Sequence, residues 1–269
     1  MKIGYYQFRP LFGKVRHNLD RVVKALGVAE ADLIVLPELA FTGYYFRSRE
    51  EVKSLAEDPG RSSTVDSLIA LCRERGFHIV TGFAEKRMDR YFNSGLLIGP
   101  GGVEHVYRKL HLFNAEKDWF DEGDVPLQIN KLRDTNIGIM VCFDWVFPEV
   151  TRVLALQGAD VICHPSNLVL DYCQQVMLTR CLENKVYAVT ANRFGADNRP
   201  FGRLRFTGRS QIVAPGGMLI HRAPAQREEL HVMAIDAHLA RDKSITDRNE
   251  VLSDRRPEFY AAVTRAAGG

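Results

Sequence analysis

Three residues in this chain have neighbours that make their chemistry usable: Cys142, Glu38 and Lys109. Cys142 follows the apolar run Ile137-Gly138-Ile139-Met140-Val141 and precedes Phe143-Asp144-Trp145-Val146-Phe147-Pro148-Glu149. That puts a thiol at the C-terminal end of a strand, just before a helix. Ligands bind at that end of α/β sheets, and N–H groups of the first helical turn can receive a developing oxyanion. A lone cysteine after a strand is ordinarily core, so its company decides the matter. Glu38 stands in Leu36-Pro37-Glu38-Leu39-Ala40-Phe41-Thr42-Gly43-Tyr44. A carboxyl set among apolar neighbours holds its proton more tightly and can shuttle it. Lys109 ends a strand-like run and precedes Leu110-His111-Leu112-Phe113, a placement that allows a partly buried ammonium. Together the three fit acyl transfer from an amide. A free thiol has a pKa of about 8.5, so a base must take its proton, and Glu38 supplies one. A fixed cation, Lys109, favours the thiolate and the tetrahedral oxyanion. Glu38 then returns the proton to the leaving amine and activates the water that hydrolyses the thioester.

Strand-like and helix-like segments alternate along the chain and would position these groups. Leu19, Val22, Val23 and Leu26 recur at helical spacing, and Leu33 to Leu36 reads as a short buried strand closed by Pro37. A helix is expected over Ser63 to Arg75 with Gly76 as its stop, then strands near His78 to Phe83 and Asn93 to Ile98. The Gly99-Pro100-Gly101-Gly102 turn leads into Val103 to Arg108. The pattern restarts with a strand at Ile137 to Val141 and a helix at Pro148 to Gln157. Next come a strand at Val161-Ile162, a helix at Asp171 to Asn184 and a strand at Val186 to Ala191. Further strand-like stretches lie near Ser210 to Ala214, Met218 to His221 and Glu229 to Ile235. Ala31-Asp32-Leu33-Ile34-Val35-Leu36-Pro37 echoes Ala159-Asp160-Val161-Ile162-Cys163-His164-Pro165. The echo suggests two similar βαβ halves within one α/β domain spanning 1–269, each supplying a sheet, with helices outside.

The bulk numbers exclude several classes. The chain has 269 residues, 46% hydrophobic and 26% charged, with a formal net charge of +3. Its pI is about 8.6. That balance, with no basic stripe interleaved with aromatics, argues against a nucleic-acid partner. The longest apolar run is too short to span a bilayer, and no membrane partner is expected. Five cysteines at irregular spacing, with no C-x-x-C, argue against a disulfide framework or zinc ribbon and point to a cytoplasmic, reducing setting. No charged-then-apolar leader precedes the first strand.

Other chemistries lack their signatures. There is no G-x-G-x-x-G after a strand, no phosphate loop, no H-E-x-x-H and no G-x-S-x-G. The eight histidines are scattered, so neither a metal nor a cofactor is expected. A papain-like pairing of Cys142 with His111 or His164 would leave the glutamate and lysine segments unexplained. A non-catalytic binding protein on the same fold predicts an unreactive Cys142.

The segments around Glu38, Lys109 and Cys142 resemble the three signature blocks of the carbon–nitrogen hydrolase (nitrilase) superfamily, in order and with family-like separations. Asn93-Ser94, Gly123-Asp124, Glu183-Asn184, Gly208-Arg209-Ser210 and Asp254-Arg255-Arg256-Pro257-Glu258-Phe259-Tyr260 extend the resemblance over the whole chain. It implies an αββα four-layer sandwich, a Glu38-Lys109-Cys142 triad, and a supporting, substrate-orienting glutamate at Glu116, with Phe143 beside the nucleophile. It also implies a homodimer or higher even oligomer in which the arginine-rich tail, roughly 241–269, reaches the partner. Tyr44, Trp145, Phe147 and Asn167 are candidate pocket walls.

Substrate choice follows from departures. Classical nitrilases carry Trp-Glu after the cysteine, where this chain has Phe143-Asp144. Relatives acting on carbamoyl amino acids and ω-amides carry an arginine just beyond it, and none lies between Cys142 and Glu149. A carboxylate substrate calls for a bidentate guanidinium. The expectation is therefore a small neutral aliphatic amide, with a small nitrile as the alternative and an N-carbamoyl amide behind both.

Overall fold

The computed structural model describes residues 1–265. Its strands are β1 (Lys2–Gln7), β2 (Leu33–Val35), β3 (His78–Arg87), β4 (Arg90–Gly99), β5 (Gly102–Arg108), β6 (Ile129–Leu132), β7 (Thr135–Ile139) and β8 (Val161–Ser166). They continue as β9 (Tyr187–Asn192), β10 (Phe194–Arg199), β11 (Gly202–Thr207), β12 (Gln211–Val213), β13 (Leu219–Arg222), β14 (Glu229–Ala234), β15 (Ser244–Thr246) and β16 (Asn249–Glu250). The helices are α1 (Val15–Leu26), α2 (Arg49–Leu55), α3 (Ser63–Arg75), α4 (Glu116–Trp119), α5 (Pro148–Leu156) and α6 (Cys173–Asn184).

Two six-stranded sheets form the centre, in the orders β14-β1-β2-β3-β4-β5 and β13-β12-β9-β8-β7-β6. Each has three parallel strands, β1-β2-β3 or β7-β8-β9, flanked by antiparallel partners. The repeated Ala-Asp-apolar segments became β2 and β8, the second strand of each parallel trio. The halves are not self-contained, because β14, from the C-terminal half, completes the sheet of the N-terminal half.

Burial on both faces explains the continuous apolar strands. In β2, Leu33 and Val35 face the other sheet and join Ile137, Ile139, Val161 and Val189. Ile34 and Leu36 point the opposite way, onto Leu19, Val22 and Leu26 of α1 and Val65, Leu68 and Cys72 of α3. Helices α5 and α6 cover the outer face of the second sheet, which completes the α-β-β-α layering. Helix α3 runs as its sequence predicts. Ser62 Oγ accepts from the Val65 N–H at 3.1 Å, and Gly76 stops the helix with φ +72°.

Some expectations change. β8 runs through Pro165 instead of ending there. Pro165 shares the parity of Cys163, whose carbonyl accepts from Met140 N–H on the β7 side. Its missing N–H therefore faces the flank where β7 has already ended at Ile139. Helix α2 and the β10–β11 hairpin lie where no periodicity marked them. α2 buries only Val52, and the hairpin carries three arginines with Asp197 and Asn198. Arg193, fully buried, holds the base of the hairpin by pairing with Asp197 at 2.8 Å. The polar tail folds as short 3₁₀ turns and the β15–β16 hairpin up to Arg265. Residues 266–269 of the expected interface segment lie outside the described residues. Among those described, no helix is long and apolar enough to cross a membrane.

Candidate active site

Glu38, Lys109 and Cys142 follow the C-terminal ends of β2, β5 and β7, so the sandwich brings segments from both sheets to one place. Glycines make the close approaches. A Cβ on Gly82 would sit 2.2 Å from Glu38 Cα, so only glycine in β3 lets the Glu38 loop lie against it. That loop is pinned by Gly82 N–H to Pro37 O at 3.1 Å and Ala40 N–H to Gly82 O at 3.2 Å. A Cβ on Gly123 would meet Arg108 O at 2.3 Å, and the Gly123 N–H donates to Lys109 O at 3.1 Å. The Lys109 N–H itself donates to Asn93 O at 2.9 Å.

The Lys109 ammonium is sealed between two carboxylates. It donates to Glu38 Oε1 at 2.7 Å and to Glu116 Oε1 and Oε2 at 2.9 and 2.7 Å. All three side chains are fully buried. Asn93 Nδ2 adds a bond to Glu38 Oε1 at 2.7 Å, and Tyr44 OH donates to Glu116 Oε1 at 2.6 Å. Burial alone would strip the Lys109 proton, but Glu116 and Glu38 outweigh it and hold the ammonium above the ordinary lysine value. Burial pushes the Glu38 carboxyl above its usual range, Lys109 opposes this, and the Glu116 charge adds to it. Glu38 Oε2 is buried with no hydrogen-bond partner. One Glu38 oxygen is thus anchored while the other stays open to a proton.

Cys142 opens a 3₁₀ turn, Cys142–Val146, with φ +43°. A non-glycine residue in the left-handed region costs on the order of 1–3 kcal/mol and needs support from its surroundings. Buried Asp144 gives that support from within the turn. Its Oδ2 accepts from Val141 N–H at 2.9 Å and Tyr107 OH at 2.6 Å. Its Oδ1 accepts from the His111 N–H at 3.2 Å and lies 2.8 Å from His111 Nδ1. Arg180 of α6 reaches Trp145 O and Val146 O at 3.3 Å each. His164 Nε2 reaches Cys142 O at 2.9 Å. Burial lowers the His164 pKa to about 4, so the ring is neutral. The two histidines considered as papain-like partners therefore bind Asp144 and a backbone carbonyl.

The Cys142 thiol feels its neighbours electrically. Burial raises its pKa well above the ordinary thiol value, the Glu38 charge adds to this, and Lys109 opposes it. The expected pull of Lys109 toward thiolate is present but outweighed, so the resting group is a thiol that needs a base. Asn167, after β8, lines the same cavity as Cys142, and its Nδ2 donates to Glu38 O at 2.8 Å. One residue thus borders the nucleophile's cavity and binds the glutamate loop.

The candidate wall residues separate. Phe143, Trp145 and Asn167 line a small cavity with Cys142, Phe113, Leu168 and Val169. Phe147 stacks flat on His111 at 3.6 Å, so its face is taken and it is not among the lining residues. Tyr44 stands at the charge cluster instead, its hydroxyl donating to Glu116. Sequence reasoning did not single out Asn93, Asp144, Arg180 or Gly82. Asn93 had a signal in the Asn93-Ser94 match, and Asp144 one in its place two residues after the cysteine.

Comparisons with known proteins find relatives in sequence and in fold. The family model for carbon–nitrogen hydrolase matches residues 2–243. The chain is 42% identical over 263 residues to a nitrilase of Pyrococcus abyssi (strain GE5 / Orsay), covering 97% of this chain and 99% of that one. It is 32% identical over 261 residues to an (R)-stereoselective amidase of Pseudomonas sp., covering 95% and 92%. An amidase from Nesterenkonia sp. AN1, captured after Michael addition of acrylamide at its active-site cysteine, matches with a TM-score of 0.79 and 25% identity over 97% of this chain and 98% of that one.

Proposed function

The chain belongs to the carbon–nitrogen hydrolase family and is an enzyme of its nitrilase and amidase type; from that premise we propose that it hydrolyses a small, neutral aliphatic amide through a thioester on Cys142. The observation that carries this reading is the buried Glu38 Oε2, which has no hydrogen-bond partner and belongs to a carboxyl whose charge acts on the Cys142 thiol. Glu38 takes the Cys142 proton as sulfur attacks the amide carbon. The oxyanion is held by the Lys109 ammonium and by the Phe143 N–H, which lies in a first turn without intrahelical partners. Glu38 passes its proton to the nitrogen, the C–N bond breaks and ammonia leaves. Water then gives a proton to Glu38 and its hydroxyl to the thioester carbon. Collapse releases the carboxylic acid and restores the thiol. Glu116 keeps Lys109 in place, and Asn167 aligns the sulfur with the glutamate loop. Apart from Asn167 and Cys142 itself the cavity walls are apolar, and no arginine lies between Cys142 and Glu149 to meet a carboxylate substrate.

A nitrile is the second reading, favoured by the 42% identity to a protein named nitrilase. The same residues would then form a thioimidate. Peptide-mapping mass spectrometry after mixing the protein with pooled amides and nitriles tests both. The expected result is a substrate-derived acyl adduct on Cys142 from an amide, whereas a thioimidate favours the nitrile. Turnover with no Cys142 adduct and undiminished activity in Cys142→Ala would overturn both.

The same reading includes a homodimer. Exposed Phe259, Tyr260 and Val263 in the tail and Val153 and Leu156 on α5 form apolar surface that a second copy would cover. A cytoplasmic setting is supported by five cysteines that are all free and buried.

A further inference from the structure

At the flank where β14 ends the first sheet and β13 ends the second, three side chains offer ligand atoms within 4.8 Å of one another: His221, Glu229 and His231. We propose that these three form a binding site for one divalent transition cation of the zinc class, which would tie the edge strands of the two sheets together.

The placement follows from strand periodicity. Glu229 and His231 alternate along β14 onto one face, and His231 pairs in register with Tyr5 of β1. His221 comes from β13, so two strands of different sheets supply the donors. The carboxylate is already oriented. Tyr5 OH donates to Glu229 Oε1 at 2.6 Å, and His221 Nε2 lies 2.9 Å from the same oxygen. Carboxylates that bind metals are held by donors of this kind. The imidazoles of His221 and His231 stack at 3.6 Å with planes 8° apart. Lone pairs lie in the ring planes, so the rings must splay from that stack for both nitrogens to face one ion. Tetrahedral zinc with ligands at about 2.0–2.2 Å sets donors roughly 3.3–3.6 Å apart, so the His221–Glu229 pair must open from 2.9 Å while wider pairs close, both within reach of side-chain rotation. Two imidazole nitrogens and one carboxylate oxygen select zinc-class ions over magnesium or calcium, which prefer all-oxygen shells. His221 and Glu229 keep about a third and a quarter of their surface exposed, which leaves room for water as a fourth ligand.

The test uses Zn2+ and Co2+ on the Cys142→Ala chain, so that the nucleophile cannot serve as a rival ligand. Titration calorimetry is expected to show one saturable Zn2+ site per chain and a melting temperature that rises with metal concentration. Co2+ is expected to give d–d absorption without a thiolate charge-transfer band. His231→Ala and His221→Ala should abolish the saturable site, and Tyr5→Phe should weaken it about tenfold. Should a single variant unfold, His231→Gln serves as the milder replacement and must show the same loss. No saturable Zn2+ binding, or binding that survives His221→Ala and His231→Ala, would overturn the assignment and leave the cluster a polar clasp.

Discussion

The first sheet contributes a charge cluster to the site, and the second contributes a strained turn. Glu38, Lys109 and Glu116 form a fully buried ionic group whose members depend on one another electrically. Cys142, Asp144, His164 and Arg180 instead fix the geometry of a backbone that would not adopt φ +43° alone. Damage to the two should look different. A broken ion cluster leaves an uncompensated buried charge, so stability and chemistry fall together. A changed nucleophile costs chemistry while the fold survives.

Cys142→Ala gives the largest effect and isolates the turn. Turnover should fall on the order of 10⁵-fold or more while the melting temperature changes by only a few degrees, read by ammonia release and calorimetry. Lys109→Met attacks the cluster. It leaves two carboxylates buried without their cation, so it should lower stability by about 3–5 kcal/mol as well as abolish turnover, as denaturant titration would show. If Lys109→Met proved as stable as the parent, the contrast between the regions would fail. Gly82→Ala probes placement without removing any charge. Its Cβ, 2.2 Å from Glu38 Cα, must shift the glutamate loop, and a displacement of about 1 Å should cost on the order of 10²-fold in kcat/KM.

The smallest effect concerns pH. As a base, Glu38 must be unprotonated, so kcat/KM should fall as pH drops through its pKa. Burial and the Glu116 charge raise that pKa, which places the acid limb above the ordinary carboxylate range. Glu116→Gln removes one raising cause, so the limb should move to lower pH in whatever activity remains. A limb that stayed put or moved upward would mean that Glu38 is not the titrating base.

The sequence carried one region further than the other. Glu38, Lys109 and Cys142 each carry a weak signal alone and were legible together because their segments resemble the signature blocks of the carbon–nitrogen hydrolase superfamily, while the echo of Ala31 to Pro37 at Ala159 to Pro165 located β2 and β8. What supports those residues was harder to read. Asn93, Asp144 and His164 are polar, and in sequence a buried polar residue looks like a surface one until its partner is known. Tyr44 and Phe147 were singled out because aromatic side chains line pockets; Tyr44 stands at the site but against Glu116, and Phe147 lies stacked on His111. The β10–β11 hairpin hid because it is anchored at its base by a buried Arg193–Asp197 pair, which no alternation of apolar residues announces.

The central claim is that a carboxyl from one sheet moves the proton of a thiol from the other. Glu38→Gln tests this most directly, with amide turnover measured beside alkylation of Cys142 on the same sample. Expected are one reactive thiol per chain, showing the turn intact, and a loss of turnover of about 10²–10⁴-fold. Turnover within a few-fold of the parent, with the thiol intact, would contradict the claim.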